Sequence, residues 1–154
     1  MKMKVFVILL MFLGMLQADE NTVKVVFDLT TSDLQAFERK VLSGIAVHKA
    51  HYEGKLQDLE VAVVIHGGAY KFFVKDTKHT LLEKENALLE AHGVLSKRIT
   101  SMSETYDVKF LICNSGMKKK KLERKDIYDF VEIIPTSTIG LIDKQSEGFA
   151  YIPI

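Results

Sequence analysis

The chain is poor in several residue types that would narrow its chemistry. One cysteine, Cys113, stands in 154 residues, so no internal disulfide can form. The fold must therefore stand on its core or on oligomerisation, although exported proteins commonly carry disulfides. Only two prolines occur, and each follows a strand candidate rather than interrupting one. GxSxG, P-loop and GxGxxG patterns are all missing, which removes the sequence signatures of those nucleophile and phosphate sites. There is no internal repeat, linker or low-complexity segment. Charge of one sign is missing too: 21 basic residues face 20 acidic ones, so no overall field would draw in nucleic acid.

What is present is ordinary for a globular domain. Charged residues make up 27% and apolar residues 47%, far from the disordered regime. The length fits one domain with a substantial core.

The N-terminus has a different character. Met1-Lys2-Met3-Lys4 is short and positive, and Val5 to Leu16 is an unbroken apolar run. That run is too short for a membrane span of roughly 20 residues and suits a signal-peptide core. Gln17-Ala18-Asp19-Glu20 then supplies a small residue followed by acidic ones, placing cleavage after Ala18. Residues 1–18 are read as a signal peptide and 19–154 as a single domain, periplasmic or secreted, with no stable membrane span. A retained N-terminal anchor is the alternative. No cysteine follows the run, which excludes a bacterial lipid anchor. Removal of Lys2 and Lys4 tips the net charge just below zero.

Strands and helices alternate through the rest. Thr22 to Leu29 is β-branched and apolar, as a strand requires. Leu34, Phe37, Val41, Ile45, His48 and Tyr52 then recur three or four apart, predicting a helix that stops at Gly54. Leu59 to Ile65 is nearly continuous in apolar residues, the pattern of a parallel strand covered on both faces. His66-Gly67-Gly68-Ala69 makes a tight turn. Residues 77–102 are helix-forming, with His92-Gly93 as a possible break. Asp107 to Ile112 predicts a third strand ending at Cys113, Phe130 to Ile134 a fourth closed by Pro135, and Phe149 to Ile152 a short last one. Between these last two, Ser137 to Gln145 suits a short helix with Gly148 at its end. The expected fold class is α/β, a three-layer α/β/α arrangement around a mainly parallel open sheet of about five strands.

Open α/β sheets bind ligands beyond the carboxyl ends of their strands. That gathers Asp28 and Thr30 after the first strand, His66, Gly67 and Gly68 after the second, Cys113, Asn114 and Ser115 after the third, and Thr136 and Ser137 after the fourth. Structural explanations exist for each: Asp28 can cap a helix, Gly67-Gly68 can simply turn the chain, and a free cysteine is commonly a small buried hydrophobe. Cys113 nonetheless sits at a strand end, before an expected helix start and the run Lys118 to Lys121, all of which favour a thiolate. His48 and His51 lie three apart on a helix, but no third metal ligand accompanies them. The lysine run reads as a solvated face rather than a nucleic-acid site.

Taken in order, these motifs resemble the DsrE/DsrF-like family of small sulfur-relay and related proteins, particularly its exported branch. The carrying features are a strand ending in His66-Gly67-Gly68, a strand ending in Cys113-Asn114-Ser115, Val131 to Ser137, Gln145, and the ending Glu147-Gly-Phe-Ala-Tyr-Ile-Pro153. The resemblance spans residues 22–153 and implies assembly into trimers or hexamers. It implies that Cys113 is the persulfide-bearing nucleophile, that His66 tunes it, and that protein donors or acceptors of sulfur are partners. Asp28, Gly67, Gly68, Asn114 and Ser115 are the candidate ligand-binding residues around them. No cofactor is expected. Two other readings stay open: a non-catalytic binding or assembly module in which Cys113 only packs, and a metal site using His66 and Cys113.

Overall fold

The structure is a computed structural model that describes residues 21–154. The signal-peptide reading of residues 1–18 lies outside the described residues. Five parallel strands form one sheet in the order β4-β3-β2-β1-β5. They are β1 (Thr22–Leu29), β2 (Asp58–Ile65), β3 (Val108–Cys113), β4 (Glu132–Ile134) and β5 (Ala150–Pro153). The chain steps outward from β1 to β4, then crosses back to place β5 on the far side of β1.

The helices are α1 (Leu34–Phe37), α2 (Gly44–Glu53), α3 (Asn86–Glu104), α4 (Asn114–Lys119) and α5 (Ser137–Ser146). A π-helical segment, Glu38–Ser43, joins α1 to α2, so the predicted first helix is continuous in direction but not in hydrogen-bond register. Asp33 caps its start, accepting from the Ala36 N–H at 2.6 Å. The second predicted helix is shorter than expected. Thr80–Leu82 is an isolated 3₁₀ turn and α3 starts only at Asn86. His92-Gly93 does not break α3. Space beside Gly93 is open, and the His92 ring reaches the Val74 carbonyl at 2.9 Å, so the pair is accommodated within the helix.

The alternation of side chains along each strand divides the core in two. One sheet face carries Val25, Phe27, Leu29, Val61, Val63, Ile65, Phe110 and Ile112 against α2, α3 and the aromatic cluster of Phe37, Phe72 and Phe73. Phe37 stacks on Phe72 with centroids 4.4 Å apart. The other face is smaller: Val26, Ala62, Val64, Leu111, Ile134 and Phe149 pack with Leu141 of α5. Towards the amino ends of its strands that face turns polar, where Glu60 lies between Lys24 and Lys109. The Lys109 hydrogen bond lowers the Glu60 carboxyl against the opposing effect of burial. A single helix therefore suffices to cover this face. Among the described residues, no helix is long and apolar enough to cross a membrane.

Candidate functional site

Residues 24, 26, 28 and 60, 62, 64 share the α5 face of the sheet, and continuing that alternation brings His66 onto it beside Asp28. Cys113 pairs in register with Ile134 and occupies the last position of β3. Asp28, His66 and Cys113 thus gather at the carboxyl ends of three adjacent strands, close to the start of α5. These are the strand ends at which the sequence reading looks for a site.

The turn after β2 is built for its position. His66 N–H bonds the Leu29 carbonyl at 3.1 Å, and Gly68 N–H bonds the Thr30 carbonyl at 2.9 Å, tying the turn to the end of β1. Gly67 has φ of 60°, and a Cβ there would sit 3.0 Å from the Thr30 carbonyl oxygen. Only glycine meets both demands without strain. The segment Ala69–Phe73 that follows is a 3₁₀ helix, and it delivers Tyr70 under the end of β3.

Cys113 is 4% exposed and is the N-cap residue of α4. Its Sγ lies 3.1 Å from Ser115 Oγ. Burial pushes the thiol up, but hydrogen bonds from the Ser115 hydroxyl, the Gly116 N–H, the Tyr70 hydroxyl and the Ser137 N–H outweigh it, and the thiol is held at about 7. Half the thiol is then ionised near neutral pH, and the thiolate is the nucleophilic form. Two of these donors come from α4 and a third from the first turn of α5, whose Thr136 cap accepts from the Ile139 N–H at 3.2 Å. The single Tyr70 proton is shared, its oxygen lying 2.9 Å from the Cys113 carbonyl as well.

The thiol opens on a cavity of about 390 Å³. His66, Gly67 and Tyr70 form one side, and Ser115, Gly116 and Ser137 another. Lys119 and Lys120 stand at its rim, with the Lys120 ammonium 5.5 Å from the Tyr70 ring centroid. No carboxylate lines it. Of the four consecutive lysines, then, only the middle two belong to the site. A larger cavity of about 850 Å³ opens at the opposite, amino-terminal ends of the strands, among Lys49, Glu53, Asp58 and Asp107. It holds no thiol and lies at the end of the sheet away from Cys113.

His66 Nε2 lies 2.5 Å from Asp28 Oδ1, and the Tyr151 hydroxyl donates to Asp28 Oδ2 at 2.7 Å. A carboxylate only accepts, so His66 carries a proton on Nε2. Asp28 consequently holds His66 from behind and does not line the cavity itself. Gly68 is packed against Ser32 and Asn114 also lies outside the cavity lining, so neither of these predicted residues reaches the site. Ser137, gathered from the end of the fourth strand, does line the cavity, whereas Tyr70, which lines it, and Tyr151, which reaches it only through Asp28, were not among the residues expected. His48 and His51 pack beside Phe27 and Tyr52 respectively. Among the described residues, no group of three or more His, Cys, Asp or Glu could hold a metal ion.

Comparison with known proteins agrees with this architecture. The family model described as the DsrE/DsrF-like family matches residues 24–154. An uncharacterised protein of Aquifex aeolicus (strain VF5) is 29% identical over 134 residues, which is 86% of this chain; the chain spans 56% of that relative's length. The solved structure of MTH1491, a protein of unknown function from Methanobacterium thermoautotrophicum, superimposes with a TM-score of 0.60 at 18% identity. That match covers 86% of this chain and 99% of the other and reports the shared fold. With five parallel strands between helical layers, and the family pattern running from β1 to the C-terminal residue, the chain belongs to the DsrE/DsrF-like family.

Proposed function

We propose that this chain is an exported sulfur carrier in which Cys113 bears the transferred sulfur as a persulfide. The observation that carries the reading is the thiol itself, held near neutrality by four donors at the floor of a cavity free of carboxylates. Membership of a family often linked to sulfur relay supports it. In the loading step, the Cys113 thiolate attacks the outer sulfur of a donor persulfide. The Sγ–S bond forms, the donor's S–S bond breaks, and the donor leaves as a thiolate with the electron pair. Discharge reverses the roles: an acceptor thiolate takes the outer sulfur and Cys113 departs as thiolate. No external oxidant or reductant is needed. His66, steadied by Asp28, lines the same cavity as the reacting sulfur, and the rim lysines offset the negative charge of thiolate and persulfide.

The N-terminal apolar run supports placement in the periplasm or outside the cell, and a trimer or hexamer is the assembly implied by the family resemblance. Exposing the full chain to a small-molecule persulfide donor and measuring its intact mass tests the reading. It requires the mass of one added sulfur in the parent and none in Cys113→Ala. Absence of an adduct, or an adduct that survives the substitution, refutes it.

One observation favours a second reading. Cys113 is nearly closed off from solvent, as a packing residue in a ligand-binding or assembly module would be. That reading requires Cys113→Ser to leave function unchanged.

A further inference from the structure

The contact between Tyr70 and the end of β3 goes beyond packing. Tyr70 is 1% exposed, and its hydroxyl reaches the backbone carbonyl of Cys113 across 43 positions of sequence. A buried phenol needs a partner, and many acceptors would serve. Here the partner is the residue that bears the thiol. Space for the hydroxyl exists only because residue 116 is glycine: a Cβ there would lie 1.8 Å from the Tyr70 oxygen. Gly116 is an ordinary helical position with negative φ, so its backbone does not require glycine. The absent side chain instead admits the phenol.

We propose that Tyr70 is the positioning residue of the reactive thiol, its hydroxyl passing over Gly116 to fix the Cys113 carbonyl and so set Sγ among its donors. The proposal rests on the reading of Cys113 as the sulfur-bearing thiol. Tyr70 touches the chain at Cys113 and carries Lys120 over its ring, so one side chain orders both the nucleophile and part of the cationic rim. Burial keeps its phenol protonated well above the usual range, which makes it a permanent donor. The titratable groups facing the thiol are His66 from the turn after β2, Tyr70 from the 3₁₀ helix, and Lys119 and Lys120 from α4. From α5 only Ser137 faces it, and Asp28 of β1 is turned to His66.

The test is the pH profile of alkylation in the full chain, where Cys113 is the sole thiol. Tyr70→Phe removes the hydroxyl and keeps the ring. Gly116→Ala keeps the hydroxyl and the residue-116 N–H but drives the hydroxyl away from the Cys113 carbonyl. Both are expected to raise the alkylation midpoint, and a rise of about one unit lowers the thiolate fraction at pH 7 roughly fivefold. A purely structural role would lower the melting temperature and leave the midpoint where it was. An unchanged midpoint in either folded variant overturns the proposal, and Gly116→Ala decides it should Tyr70→Phe fail to fold. Sulfur loading of the parent separates the two readings. A parent that takes up no sulfur, with the midpoint shift still present in the variants, removes the carrier and leaves the role of Tyr70 standing. Loading without the shift does the reverse.

Discussion

His66 and Asp28 share a 2.5 Å hydrogen bond between neighbouring parallel strand ends, and Tyr151 from β5 holds the other carboxylate oxygen at 2.7 Å. The crossover that brings β5 back beside β1 is what makes this three-residue chain possible. Its consequence is a defined imidazole tautomer: with Nε2–H given to Asp28, the neutral ring keeps its lone pair on Nδ1.

Long-range nitrogen–proton NMR should therefore show His66 as the Nε2–H tautomer once the ring is neutral. Asp28→Asn should mix the tautomers, because an amide can donate as well as accept, and should slow sulfur loading by about tenfold or more, within the range seen for positioned acid–base groups. A parent His66 protonated on Nδ1 alone would contradict the geometry.

Thr136 links stability to the thiol. Its side chain caps α5, and the next residue, Ser137, supplies one of the N–H groups that face Cys113. Thr136→Ala should cost about 1 kcal/mol in urea unfolding, the usual loss for such a cap. The thiol should become less acidic at the same time as the first turn of α5 loosens. A stability loss with no change in alkylation midpoint would mean that the Ser137 N–H is held by other contacts.

Gly67 tests the turn. Alanine would have to adopt φ near 60° with its Cβ against the Thr30 carbonyl. A loss of about 1–2 kcal/mol is expected from the left-handed backbone alone. A neutral or stabilising effect in denaturant titration would show that the turn can relax.

The site's acidity also predicts how stability changes with pH. The folded thiol titrates near 7, below the unfolded value of about 8.5. A depressed acid stabilises the fold above the unfolded pKa, and that contribution fades as pH falls through the folded one. Relative to Cys113→Ser, the parent should gain stability between about pH 7 and pH 8.5 and gain nothing further above it. A difference that is flat across this window, or that shrinks as pH rises, would rule out a thiolate stabilised by the fold.

Much of this architecture could be read from residue patterns, for reasons that vary by element. β2 was legible because Val61 to Ile65 is apolar on both faces, which only a doubly covered strand tolerates. Residues 77–85 misled because leucine, lysine and glutamate suit a helix in isolation. Here they are held in turns, where His79 Nδ1 accepts from the Leu81 N–H and Lys71 pairs with Glu85. At the site, strand ends pointed to His66 and Cys113. Tyr70 and Tyr151 carried no such mark. Tyr70 follows a turn and Tyr151 lies on the edge strand, so their roles exist only once tertiary packing sets them against Cys113 and Asp28. Gly116 is the same case: its meaning lies in the phenol that fills the missing side chain's place.

The most direct test of the carrier follows one sulfur atom on and off the chain. Full-length protein, loaded with a small-molecule persulfide donor and then given an excess of a small thiol, is followed by intact mass over time. The account predicts one added sulfur, confined to Cys113, that disappears as the thiol is converted to its persulfide. A chain that gains no sulfur at Cys113, or holds it without surrendering it to the thiol, would contradict the account.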